Sequence, residues 1–214
     1  MKQIELSNIV MVSDPCYTVP TWCQIILKDV LPGTYTATAD KRDCSGWGNR
    51  VHNLEVIHTE FNGELIWEEY HGEIGVDSGQ AGIFSYDTYR NDSIFDEVSK
   101  FGGDPRWSAI NEQEGDKWYG HMCDRTLGEE SWGVYDNGVV SSSGIGDGGY
   151  PLYVVRDKKS GFIVGMKIDF LLDDVEDEYD VCPECGDDMD FGDDICESCQ
   201  NEKEYNDHIE NQSN

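Results

Sequence analysis

The sequence predicts a mainly β (α+β) protein, with an antiparallel, sandwich-like body, one or two short helices, and a small cysteine-rich ribbon near the C-terminus. Three observations support this prediction. Short apolar runs alternate with turn sequences through most of the chain, as in a sheet of ordinary strands. Apolar residues at helical spacing are clear in one stretch only. Two CxxC pairs follow the last apolar run.

The N-terminal part of the chain predicts strands separated by turns. Apolar residues cluster over 4–12 and 22–27, and β-branched and aromatic residues alternate with small ones over 34–39. Asp14-Pro15 and Pro32-Gly33 indicate chain reversals between these runs. We therefore expect the strands on either side of Pro32-Gly33 to pair antiparallel.

Turn sequences also predict three later hairpins, because Asn-Gly and similar pairs favour the backbone that joins two antiparallel strands. Their turns are Asn62-Gly63 between 51–58 and 64–70, Asp136-Asn137-Gly138 between 131–135 and 139–143, and residues 157–161 between 152–156 and 162–170. In the last strand, alternate apolar side chains from Phe162 to Phe170 should face the core.

A short helix is predicted over residues 94–101. Ser93 can cap its N-terminus, Asp96 stands at the reciprocal capping position, and Gly102 can end it. Residues 117–119 are predicted to begin the next strand.

The cysteines near the C-terminus carry the strongest chemical signal. Cys182, Cys185, Cys196 and Cys199 form two CxxC pairs, which is the spacing that supplies four thiolates to a tetrahedral metal ion. The segment resembles the short zinc ribbons that are appended to many bacterial proteins, and this resemblance implies a structural Zn²⁺. A disulfide pair and a redox CxxC are the alternatives. Catalytic zinc is disfavoured because four sulfurs leave no position for water.

The charge is strongly negative: 44 acidic residues against 15 basic ones give −29. Such a field repels nucleic acid and anionic membranes, so it indicates a basic protein surface as the partner and no direct contact with nucleic acid. Composition divides the chain into a β-rich body (1–172), an acidic linker (173–181), the zinc ribbon (182–200) and a disordered acidic tail (201–214).

The chain contains no apolar run long enough for a membrane helix, and its N-terminal residues lack a signal-peptide pattern. We therefore expect a cytoplasmic protein with reduced thiols. The cysteines outside the ribbon are then expected to act as small buried hydrophobic residues. These are Cys16, Cys23, Cys44 and Cys123.

Three turn-rich loops contain the other candidate site residues. Asp14, Asp77 and Asp147 could hold Mg²⁺ or act as acid and base if their loops converge, with Gln80, Cys16 and Tyr17 nearby. Aspartate in a turn also caps exposed backbone N–H groups, and this structural role is the alternative.

Three stretches, Ser13 to Tyr17, Asp77 to Gly82 and Gly146 to Pro151, resemble an uncharacterised family of bacterial and phage proteins. The resemblance covers residues 1–170. It implies a β-rich domain and a bacterial or phage origin, and it carries no activity.

The sequence leaves three functions open. The first is a non-enzymatic, zinc-binding acidic protein that binds a basic protein surface, as an inhibitor or regulator that mimics nucleic-acid charge. The second is a small metal-dependent hydrolase or transferase that uses Asp14, Asp77 and Asp147. The third is a minor structural or assembly protein of a phage particle.

Overall fold

The computed structural model describes residues 1–101 and 113–170, and near the C-terminus residues 180–182, 184–185, 188–189, 196, 198–201 and 203. The chain divides into two compact units, Met1–Leu172 and Asp173–Asn214. The first unit is called the body below.

The body is built from strands that pair antiparallel in two sheets. In chain order they are β1 (Lys2–Leu6), β2 (Val10–Ser13), β3 (Ile25–Leu27), β4 (Gly33–Asp43), β5 (Asn49–His58), β6 (Glu68–Val76), β7 (Gln80–Ser85), β8 (Trp132–Tyr135), β9 (Gly138–Ser142), β10 (Gly148–Arg156) and β11 (Ile163–Asp169). One sheet has the order β1-β4-β5-β11-β10-β6, and the other has the order β3-β2-β7-β9-β8. These are called the six-stranded and the five-stranded sheet.

The main core lies between the two sheets. Val10 and Val12 of β2 and Ile83 of β7 join one buried cluster with Leu54 of β5 and Met166 of β11. Because side chains alternate between the two faces of a strand, the residues between these positions point away from this core. The fold is therefore a sandwich, and the opposite face of its five-stranded sheet needs separate cover.

That cover is α1 (Asp116–Thr126), the only α-helix among residues 1–101 and 113–170. Its Trp118 and Met122 form a second buried cluster with Met11 of β2 and Phe84 of β7. The rings of Phe84 and Trp118 meet edge to face, with their centroids 5.1 Å apart. Helix α1 thus gives the body a third layer, and it seals the outer face of the five-stranded sheet.

The predicted fold class is confirmed: the body consists mainly of antiparallel sheets with short helical segments. Two of the predicted hairpins are also present, β8 with β9 and β10 with β11. In both, the strands that flank the turn are each other's nearest partners, which is what a local turn signal encodes.

Two other predicted pairings are wrong. The strands on either side of Pro32-Gly33, β3 and β4, belong to different sheets, so the chain crosses the sandwich there instead of reversing within one sheet. The strands flanking Asn62-Gly63 do not pair either: β5 lies between β4 and β11, and β6 pairs with β10. A turn sequence reports a change of direction, but burial against the opposite sheet decides the partner.

The predicted helix over residues 94–101 is also wrong. The chain makes a single 3₁₀ turn over Asp92–Ile94, and residues 95–101 are not helical. Residues 117–119, predicted to be a strand, belong to α1 instead. Ile94 and Phe95 pack against the second core, whereas Val98, which the predicted helix would place one turn after Ile94, is 62% exposed.

The C-terminal unit contains a short hairpin, β12 (Asp180–Val181) with β13 (Asp188–Met189). Residues 198–201 follow in helical conformation. Asp180 and Val181 of this hairpin are the last two residues of the linker predicted over 173–181, and its other residues, 173–179, lie outside the described part of the chain. Most of the predicted disordered tail also lies outside it. No helix in the described residues has the length and apolar character needed to cross a membrane.

Candidate functional site

The four cysteines of the C-terminal unit gather into one cluster. The four Sγ atoms all lie within 4.8 Å of one another, and they belong to Cys182, Cys185, Cys196 and Cys199. The Sγ atoms of Cys185 and Cys196 are 3.5 Å apart. Four sulfurs placed tetrahedrally at about 2.3 Å from one ion would be separated by about 3.8 Å. The cluster therefore has the size and the donor set of a four-coordinate metal site.

Backbone geometry supports the charged state that a metal ligand needs. The Cys196 N–H points to Cys182 Sγ at 3.4 Å, and this hydrogen bond from the second pair is the main cause that lowers the pKa of Cys182 to about 6. Hydrogen bonding with Cys185 raises the pKa of Cys199. Four thiols crowded together resist complete deprotonation until a cation compensates their charge. The four cysteines could thus hold a metal ion.

Asp14 organises the loops that contain the other candidate residues. It is fully buried, and its Oδ1 accepts hydrogen bonds from the Cys16 N–H at 2.8 Å and the Ser78 hydroxyl at 2.7 Å. Its Oδ2 accepts the backbone N–H groups of Asp77 at 2.9 Å and Ser78 at 2.7 Å. Both oxygens are fully used, so Asp14 binds the two loops together and has no lone pair directed at a ligand.

Asp147 joins the third loop to the same place. Its Oδ1 accepts the Gly79 N–H at 3.0 Å, directly after the two N–H groups that Asp14 accepts. The side chains of Asp77 and Asp147 are exposed, whereas that of Asp14 is buried. The three loops therefore meet, but only Asp77 and Asp147 face solvent.

The three aspartates do not make a metal site with each other. Within the described part of the chain, the cysteine cluster is the one group of three or more His, Cys, Asp or Glu side chains that could hold a metal ion. The geometry gives no support to the Mg²⁺ arrangement that the sequence left open for Asp14, Asp77 and Asp147. Loop convergence here has a structural explanation, because two of the three carboxylates accept backbone N–H groups.

The side chain of Gln80 lies in the buried contact between β7 and α1. Its side-chain amide nitrogen donates to Tyr119 Oη at 3.4 Å and to Cys123 Sγ at 3.5 Å, and its oxygen accepts the Thr126 hydroxyl at 2.9 Å. All of its partners belong to the helix. Gln80 therefore attaches the helix to the sheet through hydrogen bonds of its side chain.

Cys16 and Tyr17 lack the activation that nucleophilic chemistry requires. Burial, together with the nearby Asp14 carboxylate, raises the pKa of the Cys16 thiol, so the thiolate is disfavoured. Burial and a hydrogen bond to Asp77 likewise raise the pKa of Tyr17. Both groups are therefore neutral near pH 7, and they provide hydrogen bonds and packing rather than a nucleophile.

An open pocket of about 440 Å³ lies beside the exposed aspartates. Asp77, Asp147, Trp22 and Cys23 line it together with glycines of β6 and β10. The indole of Trp22 is 94% exposed, although sequence analysis placed this residue in an apolar run of the sheet. The alternation of buried and exposed residues could have indicated this exposure, because Trp22 is out of phase with the buried residues Ile25 and Leu27 of β3.

Comparison with known proteins adds no relative: no protein-family model, curated protein or solved structure matches this chain.

Proposed function

We propose that this protein is a non-enzymatic, acidic interaction protein that binds a basic surface of a partner protein. The observation that carries the proposal is its charge of −29 over 214 residues. Seventeen acidic residues and one basic residue follow position 172, so the excess is strongest toward the C-terminus. A surface of this sign attracts basic partners over long range, and it competes with nucleic acid for them.

We further propose that the cysteine cluster binds one structural Zn²⁺. Four thiolates close a tetrahedral shell, and a short segment with few apolar residues needs metal binding to fold. Bound zinc would leave the ligand set with a formal charge of −2, so the ion would order this region without reversing the charge that attracts the partner.

The chemistry of the aspartate loops supports a binding protein better than a hydrolase. Asp14 has no free lone pair, and the pKa values of Cys16 and Cys123 are raised by burial. The alternative hypothesis, a metal-dependent hydrolase or transferase, required a metal ion shared by the three aspartates, and they form no such site among the described residues. The resemblance to bacterial and phage proteins stays a prediction, and so does a structural role in a phage particle.

The test uses the full chain and two fluorescein-labelled peptides of equal length, one alternating arginine with glycine and one alternating serine with glycine. Fluorescence anisotropy should show binding of the arginine peptide only, with an affinity that falls steeply as salt rises. Screening shortens the range of exposed charges to about 8 Å at physiological ionic strength. Native mass spectrometry of the same sample should count one zinc ion per chain.

Two results would contradict the proposal. Binding of the arginine peptide that is insensitive to salt would remove the electrostatic basis, and absence of binding at low salt would remove the function itself. A second measurement uses a basic DNA-binding protein already bound to labelled duplex DNA. If the acidic protein mimics nucleic-acid charge, adding it should release the DNA, and the released fraction should rise with the concentration of the acidic protein.

A further inference from the structure

The pocket beside Asp77 and Asp147, called the Trp22 pocket below, combines carboxylates with an exposed aromatic ring. Asp77 and Asp147 contribute two negative charges, and no lysine, arginine or histidine among the described residues lines it. The buried residues Cys23 and Val76 form its apolar part. A ligand that satisfies these walls needs a positive charge and a flat or apolar surface next to it.

Two paired strand positions that line the pocket carry no side chain. Gly75 of β6 and Gly149 of β10 are partners in the six-stranded sheet. A Cβ atom on Gly75 would lie 2.8 Å from Cys23 Cβ, and one on Gly149 would lie 2.7 Å from Glu73 Oε2. Packing therefore requires glycine at position 75, because Cys23 Cβ cannot move without its backbone. At position 149 the clash is with the end of the flexible, exposed Glu73 side chain, which can move aside.

Hydrogen bonds hold the loops of both carboxylates in place before any ligand arrives. The backbone N–H of Asp77 is fixed by Asp14, and Asp147 itself accepts the Gly79 N–H. The loop of Asp147 is further held by the Tyr150 hydroxyl, which donates to the Gly146 carbonyl at 2.8 Å. A site fixed in this way loses little conformational entropy when it binds.

The exposed side chain of Trp22 is a second feature of the pocket that favours ligand binding, and it is independent of the two carboxylates. An indole that is 94% exposed gains nothing from the core, and large exposed aromatic side chains beside a cavity are typical of binding sites. Its turn is ordered: the Thr21 N–H donates to Gln24 Oε1 at 2.8 Å, and the Thr21 hydroxyl donates to the Thr18 carbonyl at 2.7 Å. The face of the ring is therefore presented to solvent by a fixed backbone.

We propose that the Trp22 pocket binds an arginine side chain of the basic partner, with the guanidinium group between the carboxylates of Asp77 and Asp147 and stacked on Trp22. Arginine fits better than lysine because its planar group forms several directed hydrogen bonds to carboxylates and stacks on an aromatic face. This inference rests on the proposed function, and it adds the site on this protein that recognises the basic partner.

The test measures the affinity of the arginine/glycine peptide for matched variants of the full chain. Trp22→Ala should weaken binding about fivefold, while Trp47→Ala, which removes a 55% exposed indole elsewhere, should change it less than about twofold. The double variant Asp77→Asn/Asp147→Asn should weaken binding about tenfold. Its control, Glu64→Gln/Glu114→Gln, removes the same charge from exposed positions outside the pocket, and it should change binding less than about twofold.

The outcomes separate the two proposals. If the wild-type chain binds no arginine peptide, the proposed function fails. If it binds, and the pocket variants behave like their controls, the charge-based function stands and the Trp22 pocket is overturned. A lysine/glycine peptide should bind the wild type more weakly, and equal affinity for both peptides would overturn the choice of arginine. Circular dichroism checks that each variant is folded.

Discussion

At the scale of single residues, the structure turns a candidate catalytic aspartate into an organiser of loops. Replacing Asp14 with alanine would leave three backbone N–H groups and one hydroxyl group without their acceptor in a buried place. We expect the free energy of unfolding to fall by about 3 to 5 kcal/mol, measured by urea denaturation.

Asp157 supplies the matched control for Asp14. It accepts hydrogen bonds from the Lys159 and Ser160 N–H groups and the Ser160 hydroxyl, but at an exposed turn where water can replace it. The Asp157→Ala variant should therefore lose much less stability than Asp14→Ala. Equal losses in the two variants would show that burial of the Asp14 carboxylate is not what makes its hydrogen bonds important.

A second prediction at this scale concerns pH. Burial of His52, followed by repulsion from the Arg42 cation, lowers its pKa below the ordinary value of 6.5. The unfolded chain then binds the proton first as the pH falls, so the contribution of His52 to stability is complete above the unfolded pKa and decreases below about pH 6.5.

The measurement compares wild type with His52→Asn by urea denaturation between pH 7.5 and 5.5. Because the many carboxylates affect both proteins alike, the difference in free energy of unfolding isolates the imidazole. The wild type should lose stability relative to the variant as the pH falls. A difference that is constant or moves the other way would contradict the argument, and His71→Asn, which removes an exposed imidazole, controls for composition.

At the scale of elements, helix α1 depends on a residue far from it in sequence. The carboxylate of Asp92 accepts the N–H groups of Gly115 and Trp118, each at 2.8 Å, which are donors at the start of the helix. The residue at the N-cap position, Gly115, has a φ of 90° and no capping side chain. Asp92 thus performs the capping that sequence reasoning looks for at the N-cap position itself.

Replacing Asp92 with alanine should destabilise the body by about 2 kcal/mol, because two helix donors lose a charged acceptor. Amide hydrogen exchange should accelerate within residues 116–126, while the strands of the main core stay protected. Asp87→Ala removes an exposed carboxylate from a separate 3₁₀ turn, Tyr86–Thr88, and it should leave the exchange of the helix unchanged. Equal acceleration in both variants would show that the capping bonds are unimportant.

This capping explains which parts of the fold were predictable. The hairpins β8–β9 and β10–β11 follow from turn residues adjacent to the strands they join. The helix does not, because its capping residue stands outside it and its apolar face is defined by Phe84 and Met11 of the sheet. The partners of β4 (β1 and β5) and of β6 (β10) were equally hidden, since long-range burial selects which strands pair in a sandwich.

The candidate sites differ in predictability for the same reason. Cysteine ligands lie close together in sequence, so the spacing of Cys182 to Cys199 was sufficient to predict the cluster. The Trp22 pocket joins a turn before β3 with loops after β6 and before β10. Its walls come together only when the two sheets pack. The position of Trp22 outside the period of Ile25 and Leu27 indicates an exposed ring, but it does not show which loops lie beside that ring.

At the scale of the whole molecule, the two units should respond differently to removal of metal. The body contains a core of buried aliphatic and aromatic side chains between its sheets, and it needs no metal to hide them from water. The four cysteines lie in the C-terminal unit. We therefore expect a chelator such as EDTA, or the double substitution Cys182→Ser/Cys185→Ser, to unfold residues around the cluster and leave the thermal transition of the body unchanged.

Hydrogen exchange resolved by peptide, with and without chelator, tests this separation. Amides of residues 180–201 should lose protection and regain it when zinc is returned, while peptides from β5, β10 and β11 keep theirs. The matched variant Cys16→Ser/Cys44→Ser changes two cysteines outside the cluster and should keep one zinc per chain. If the chelator lowers the protection of the body strands as well, the metal stabilises both units. That result would contradict the prediction that metal binding stabilises the C-terminal unit alone.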